Sequence, residues 1–178
     1  MTDNLFLITG CSGGGKTTLV KALDAMGHAT VPEPGMRVVA AETAGGGDAL
    51  PWIDMRAFAQ RCLSFSQADF RNAPQIPHPV FFDRGVVDAA VALDHSGGPS
   101  FRDTLGKGRA YASTVFVAPP WSEIFESAAF RRHDFDSAVR EYDRITRALT
   151  ELGYAQVELP RASVAERIDF IRTTLKLD

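Results

Sequence analysis

Gly10-Cys11-Ser12-Gly13-Gly14-Gly15-Lys16-Thr17 places two glycines, a lysine and a hydroxyl at the spacing G-x-x-x-x-G-K-T. Glycines leave the backbone open, so that successive N–H groups can converge on phosphate oxygens. A helix starting at the lysine adds the partial positive charge of its N-terminus. Lys16 can then reach the β- and γ-phosphates of a nucleoside triphosphate, and the Thr17 hydroxyl can ligate Mg²⁺. The expected phosphate contacts are Gly10, Ser12, Gly13, Gly14, Gly15, Lys16, Thr17 and Thr18. The pattern describes a site only where a strand precedes it and a helix follows.

Further side chains have types and places suited to the same chemistry. Glu33 stands between Pro32 and Pro34, which restrict its backbone on both sides and suit a positioned catalytic group. Asp83 closes the apolar run Val80-Phe81-Phe82. A carboxylate there can hold Mg²⁺ through a water or accept the proton of an acceptor hydroxyl. Arg84 either clamps a substrate or pairs with a neighbouring carboxylate. Arg37 lies one helical turn beyond Glu33, and Gln67 and Arg71 lie one turn apart; Arg37 either binds substrate or is a solvated surface arginine. Trp52, Phe58 and Phe65 either line an acceptor pocket or belong to the core. Arg131 and Arg132 sit in a polar stretch, where one of them can stabilise the charge on a transferring phosphoryl group. His78 and His133 have no metal-ligand spacing.

These residues need elements to hold them. Leu5–Thr9, Val80–Asp83 and Thr114–Ala118 are short apolar runs, the pattern of strands buried on both faces of a parallel sheet. His28–Val31 and Ala155–Leu159 supply two more strands. Helices are expected at Thr17–Met26, about Gly35–Thr43, Ile53–Asn72, Val86–Leu93, Trp121–Phe125 (short), Asp136–Leu152 and Val164–Leu175, with Ser127–Phe135 as a polar loop. Glycines and prolines punctuate the ends, as at Gly27, Gly45-Gly46-Gly47, Gly97-Gly98-Pro99 and Gly153. Alternating strands and helices imply a parallel sheet covered on both faces. Ligands of such sheets bind beyond the carboxyl ends of the strands, where the loop, Glu33 and Asp83 all fall.

At 178 residues the chain is expected to form one domain, residues 1–178, with no internal repeat. A net charge of −3 without a basic run gives no footprint for nucleic acid. No apolar run approaches the roughly 18–20 residues of a membrane span. Cys11 and Cys62 are the only cysteines, too few for a zinc framework, and a disulfide at Cys11 would obstruct the loop. Reduced thiols point to the cytoplasm. The sequence does not specify an oligomeric state.

Val31-Pro32-Glu33-Pro34 resembles the Glu-Pro after the second strand of deoxynucleoside kinases, and Phe82-Asp83-Arg84-Gly85 resembles their Glu-Arg-Ser and the Asp-Arg-Tyr of thymidylate kinases. End to end, the chain is similar to a family of small bacterial ATP-binding proteins labelled "AAA domain", which are related to nicotinamide riboside kinase domains and distinct from AAA+ motors. The tail carries this likeness most clearly: Ala118-Pro119-Pro120-Trp121, Leu152-Gly153-Tyr154, Leu159-Pro160-Arg161-Ala162-Ser163-Val164 and Glu166-Arg167. The resemblance implies a P-loop α/β fold of the nucleotide-kinase type, with a five-stranded parallel sheet in the order 2-3-1-4-5. It also implies a lid at about residues 127–135 carrying Arg131 or Arg132, and a base-flanking loop that includes Ala162 and Val164. Glu33 would face the acceptor hydroxyl, and Gln67 would read the acceptor. The implied activity is Mg-ATP-dependent phosphotransfer to a small acceptor. Absence of Asn-Lys-x-Asp favours adenine without excluding GTP. A nucleotide-dependent switch module and a slow ATPase are the alternative readings. Motor-type ATPases follow the strand-end Asp with a Glu that activates water, and here Arg84 stands in that place.

Overall fold

The computed structural model describes residues 3–125 and 134–177. Five strands, β1 (Leu5–Gly10), β2 (Ala29–Val31), β3 (Val80–Asp83), β4 (Thr114–Ala118) and β5 (Ala155–Glu158), form one sheet in the order β2-β3-β1-β4-β5. Every pairing is parallel, so the expected order and strand direction are both observed. The helices are α1 (Lys16–Ala25), α2 (Pro34–Gly45), α3 (Met55–Arg71), α4 (Val86–His95), α5 (Phe101–Leu105), α6 (Phe135–Glu151) and α7 (Val164–Leu175), with a 3₁₀ turn at Ser122–Ile124.

Strand alternation divides the core. Leu5, Leu7, Val80, Phe82, Val115 and Val117 pack with Val86 and Val87 of α4 and Ile145 and Leu149 of α6. Ile8, Phe81 and Phe116 pack on the other face, with Leu19, Val20 and Leu23 of α1 and Ile168 and Ile171 of α7. Because successive side chains point to opposite faces and both faces are covered, the central strands read as continuous apolar runs. Half-exposed β2 and β5 are the sheet edges.

Element ends follow local chemistry. Asp54 caps α3 through the Ala57 N–H at 2.9 Å, so that helix starts two residues after the expected Ile53. Pro34 opens α2 at its first turn, and Gly46 closes it in the left-handed conformation. Asp134 caps α6 through the Ser137 N–H at 2.8 Å, which places Phe135, expected in the loop, inside the helix. Ser163 and Glu166 form a reciprocal capping box at the start of α7. Helix α5 was not anticipated; Ser100 caps it, and its five residues bury no side chain fully, so it carries no apolar periodicity. Among the described residues no helix is long and apolar enough to cross a membrane.

Candidate functional site

The loop joins β1 to α1, giving the motif the strand and helix it requires. Gly10 has φ of +110°, and a Cβ there would stand 2.3 Å from the Ala118 carbonyl oxygen. Close approach to β4 therefore demands glycine. Phe125 covers Gly13, with a ring carbon 2.7 Å from where a Cβ would lie. Its ring also meets Phe135, the first residue of α6, edge-on at 5.4 Å. Arg131 and Arg132 lie outside the described residues.

Lys16 is buried, and its Nζ donates to the carbonyls of Cys11 at 2.6 Å and Gly10 at 3.4 Å. Burial pulls its pKa down to about 8, helped by Arg84 and opposed by Asp83, Glu141 and Glu33. Thr17 donates to Asp83 Oδ2 at 2.7 Å. Asp83 is 1% exposed and its Oδ1 has no hydrogen-bond partner. Burial raises its pKa, against the charge of Lys16.

Register explains how these groups meet. Ile8 pairs with Asp83 across β1–β3 and with Phe116 across β1–β4. The carboxyl ends of all three strands thus open onto one edge. There Arg84 takes a left-handed φ of 62°, an uncommon conformation for a residue with a side chain and a mark of functional sites. Its guanidinium lies 2.8 Å from Glu141, 3.2 Å from Asp88 and 3.4 Å from Glu33. Burial works against the charge of Arg84, yet the three carboxylates hold its pKa above the ordinary value. Burial also works to raise Glu141, but Arg84 overrides it and the carboxyl stays low. Asp88 accepts from the Thr9 hydroxyl, from Arg84 and from the Gly85 N–H at 3.1 Å. Asp88 and Glu141 escape a motif-based reading because neither sits at a strand end; Asp88 is legible only as the acidic residue of a helix's first turn.

A cleft of about 490 Å³ is lined by Ser12, Gly13, Gly15, Lys16, Thr17 and Thr18 on one side. Glu33 and Arg84 border it at one end, and Trp121, Ile124, Ala162, Ser163, Val164 and Arg167 at the other. Ala162 and Val164 therefore share a cavity with the loop. Arg161 holds this end in place by donating to the Pro120 carbonyl at 2.9 Å. Another cavity, of about 530 Å³, borders Asp3 and Ser113 at the amino ends of β1 and β4, and none of the loop residues lines it.

Two expected substrate contacts lie elsewhere. Gln67 is exposed on α3 and does not line the cleft, because α3 turns Ala59, Cys62 and Ser66 inward. Arg37 is committed to Asp69, with hydrogen bonds of 3.0 and 3.1 Å, and stacks over Phe65 at 5.1 Å from the ring centre. That clamp joins α2 to α3. Phe58 and Phe65 are partly buried against Val38, Cys62 and Ala89, whereas Trp52 is 37% exposed.

The family model described as "AAA domain" matches residues 5–167, and the chain belongs to that family. No match is found among curated protein sequences. Among solved structures, the chain is similar to a NadR protein in complex with NR, at 19% identity and a TM-score of 0.71, over 99% of this chain and 53% of that one. The chain thus spans about half the length of NadR. It is also similar to deoxyadenosine kinase from M. mycoides with bound dATP, at 13% identity and TM-score 0.60, over 97% of this chain and 99% of that one. Shikimate kinase from Acinetobacter baumannii in complex with shikimate aligns at 13% identity and TM-score 0.56, over 98% of this chain and 94% of that one. At such identities the likeness is one of fold.

Proposed function

We propose that the chain is a Mg-ATP-dependent phosphotransferase acting on a small hydroxyl-bearing acceptor. The observation that carries this reading is the pairing of Glu33 with Arg84 at the mouth of the cleft that holds the phosphate loop. A hydrolase needs a base aimed at water beside the γ-phosphate. Here an arginine follows the strand-end Asp83, and the carboxylate lining the cleft comes from the rigid turn after β2. With Asp83 committed to Thr17, Glu33 is the group suited to take the acceptor's proton. The acceptor oxygen then bonds to the γ-phosphorus, the bond to the β–γ bridging oxygen breaks, and ADP leaves. Lys16 neutralises charge on the transferred group, in the manner assigned to Arg131 or Arg132 of the lid.

Thr17 and Asp83 fit a Mg²⁺ ion: a hydroxyl and a buried carboxylate 2.7 Å apart, one carboxylate oxygen without a hydrogen-bond partner. When bound, the ion supplies neutralisation of phosphate charge. Among the described residues, Glu33, Asp83, Asp88 and Glu141 outnumber Lys16 and Arg84 around this end of the site. That balance suits an uncharged or cationic alcohol better than an acceptor that already carries phosphate. Adenine would lie toward Ala162 and Val164.

The test is ADP release with Mg-ATP across a panel of nucleosides, nucleotides and other small alcohols. Turnover without acceptor should be slow, and the right alcohol should raise it by orders of magnitude, because positioning supplies much of phosphoryl-transfer catalysis. Glu33→Gln should lower the stimulated rate by on the order of 10²-fold or more, with ATP affinity nearly unchanged. Fast acceptor-independent hydrolysis, or a fully active Glu33→Gln variant, refutes the mechanism.

A further inference from the structure

Two arginines border the cleft, and they are held in opposite ways. Arg84 is surrounded by three carboxylates. Arg167, on α7, is 2% exposed, and among the described residues no carboxylate lies within 4.0 Å of it. The neighbouring carboxylate, Glu166, is committed to the Ser163 hydroxyl and N–H at 2.6 and 2.9 Å. A guanidinium has five N–H donors. One Nη of Arg167 donates to the Gly14 carbonyl at 3.1 Å, and the Nε has no acceptor. The other Nη lies 2.9 Å from where a Cβ of Gly15 would stand.

An unpaired charge out of water is costly, and proteins normally neutralise it with a counterion or a ligand. Burial indeed lowers the pKa of Arg167, and no neighbouring carboxylate offsets it. Yet an arginine remains charged at any physiological pH. The charge is seated against Gly14 and Gly15, where a phosphate chain would cross from the loop toward Ala162 and Val164.

We propose that Arg167 is a nucleotide-binding residue whose missing counterion is the non-transferred part of the bound phosphate chain. This rests on the reading of Gly10–Thr17 as a triphosphate loop and adds a cation outside the loop and the lid. Arg167 lines the same cleft as Thr18 and Val164, at the end away from Glu33 and Arg84. Its contact is therefore to the α- and β-phosphates, so it governs nucleotide affinity and leaves the chemical step to Lys16. Gly15 has a left-handed φ of +76°, which favours glycine, and a Cβ there would stand 2.9 Å from this guanidinium.

The test measures binding of ATP, ADP and adenosine to wild type, Arg167→Met and Arg167→Lys by calorimetry, at several salt concentrations. Arg167→Met should weaken ATP and ADP by on the order of tenfold or more, the scale of one lost charged hydrogen bond. Adenosine should bind as to wild type, and the salt dependence of ATP binding should become shallower. Without ligand, the melting temperature of Arg167→Met should equal or exceed that of wild type, because removing an uncompensated buried charge relieves the fold. Arg167→Lys should keep the wild-type salt dependence. Where acceptor turnover is measured, KM for ATP should rise while kcat holds. Unchanged ADP affinity in both variants overturns the proposal, as does an equal loss for adenosine and ATP. A fall in the ligand-free melting temperature of Arg167→Met with an unaltered salt dependence also overturns it, since that marks a structural brace. Wild type that binds none of the three ligands overturns the phosphate-loop reading itself, an outcome separate from these.

Discussion

Raising the pH should weaken ATP binding in a way that reports on Lys16. Its ammonium is buried against the carbonyls of Cys11 and Gly10, and burial brings its pKa from 10.5 down to about 8. In the unfolded chain the ordinary value applies. Between pH 8 and 10.5 the unfolded state therefore binds more protons than the folded state, and stability rises with pH across that window. Below pH 8 both states are protonated, and the folded state carries the full cost of burying the charge, about 3 kcal/mol. A bound triphosphate supplies the missing negative charge and returns the pKa toward its ordinary value. Binding above pH 8 must then take up a proton. With the pKa restored to its ordinary value in the complex, ATP affinity at pH 9 should be about tenfold weaker than at pH 7. The thiol of Cys11, close by, is pushed up from its ordinary value by burial. Calorimetry in buffers of different ionisation enthalpy should find about one proton taken up per ATP at pH 9 and almost none at pH 7. Lys16→Arg, charged at both pH values, should lose this dependence. A wild-type affinity that is flat from pH 7 to 9, or equal proton uptake by Lys16→Arg, would refute the reasoning.

Lys16→Ala should reduce Mg·ATP binding severely, and calorimetry showing wild-type affinity would remove the loop from the site. Asp83→Asn should raise the Mg²⁺ concentration needed for half-maximal activity by about 10–100-fold, as loss of a carboxylate partner does at metal sites; an unchanged Mg²⁺ titration contradicts its role. Gly85→Ala should destabilise the fold by about 2–4 kcal/mol, because the new Cβ would stand 2.0 Å from the Tyr111 hydroxyl, which accepts from the Val86 N–H at 3.0 Å. Thermal unfolding should register this as a fall of roughly 5–15 °C, and a wild-type melting temperature contradicts it.

The strand–helix alternation and the phosphate loop were legible in the sequence because both are local. A glycine-rich segment between an apolar run and an amphipathic helix has few other uses, and runs such as Val80–Phe82 or Val115–Val117 suit only strands covered on both faces. The carboxylates after β2 and β3 were legible for the same reason, since strand-end positions follow from element boundaries. The sheet order came from family likeness, as periodicity does not specify which strands are neighbours.

Partnership was decided only by the tertiary structure. Arg84, read as either a substrate clamp or an ion-pair member, is held by carboxylates from the turn after β2, from α4 and from α6. Asp88 is only 4 positions downstream, but Glu33 is 51 upstream and Glu141 57 downstream, separations that no local pattern connects. Arg37 went to Asp69 on a neighbouring helix, and Gln67 turned outward by the register of α3. In the sequence Arg167 stands out only as part of the Glu166-Arg167 pair of the family-like tail. Its proposed role rests on the lack of a carboxylate partner among the described residues, and an absent counterion is a property of packing that a sequence cannot display.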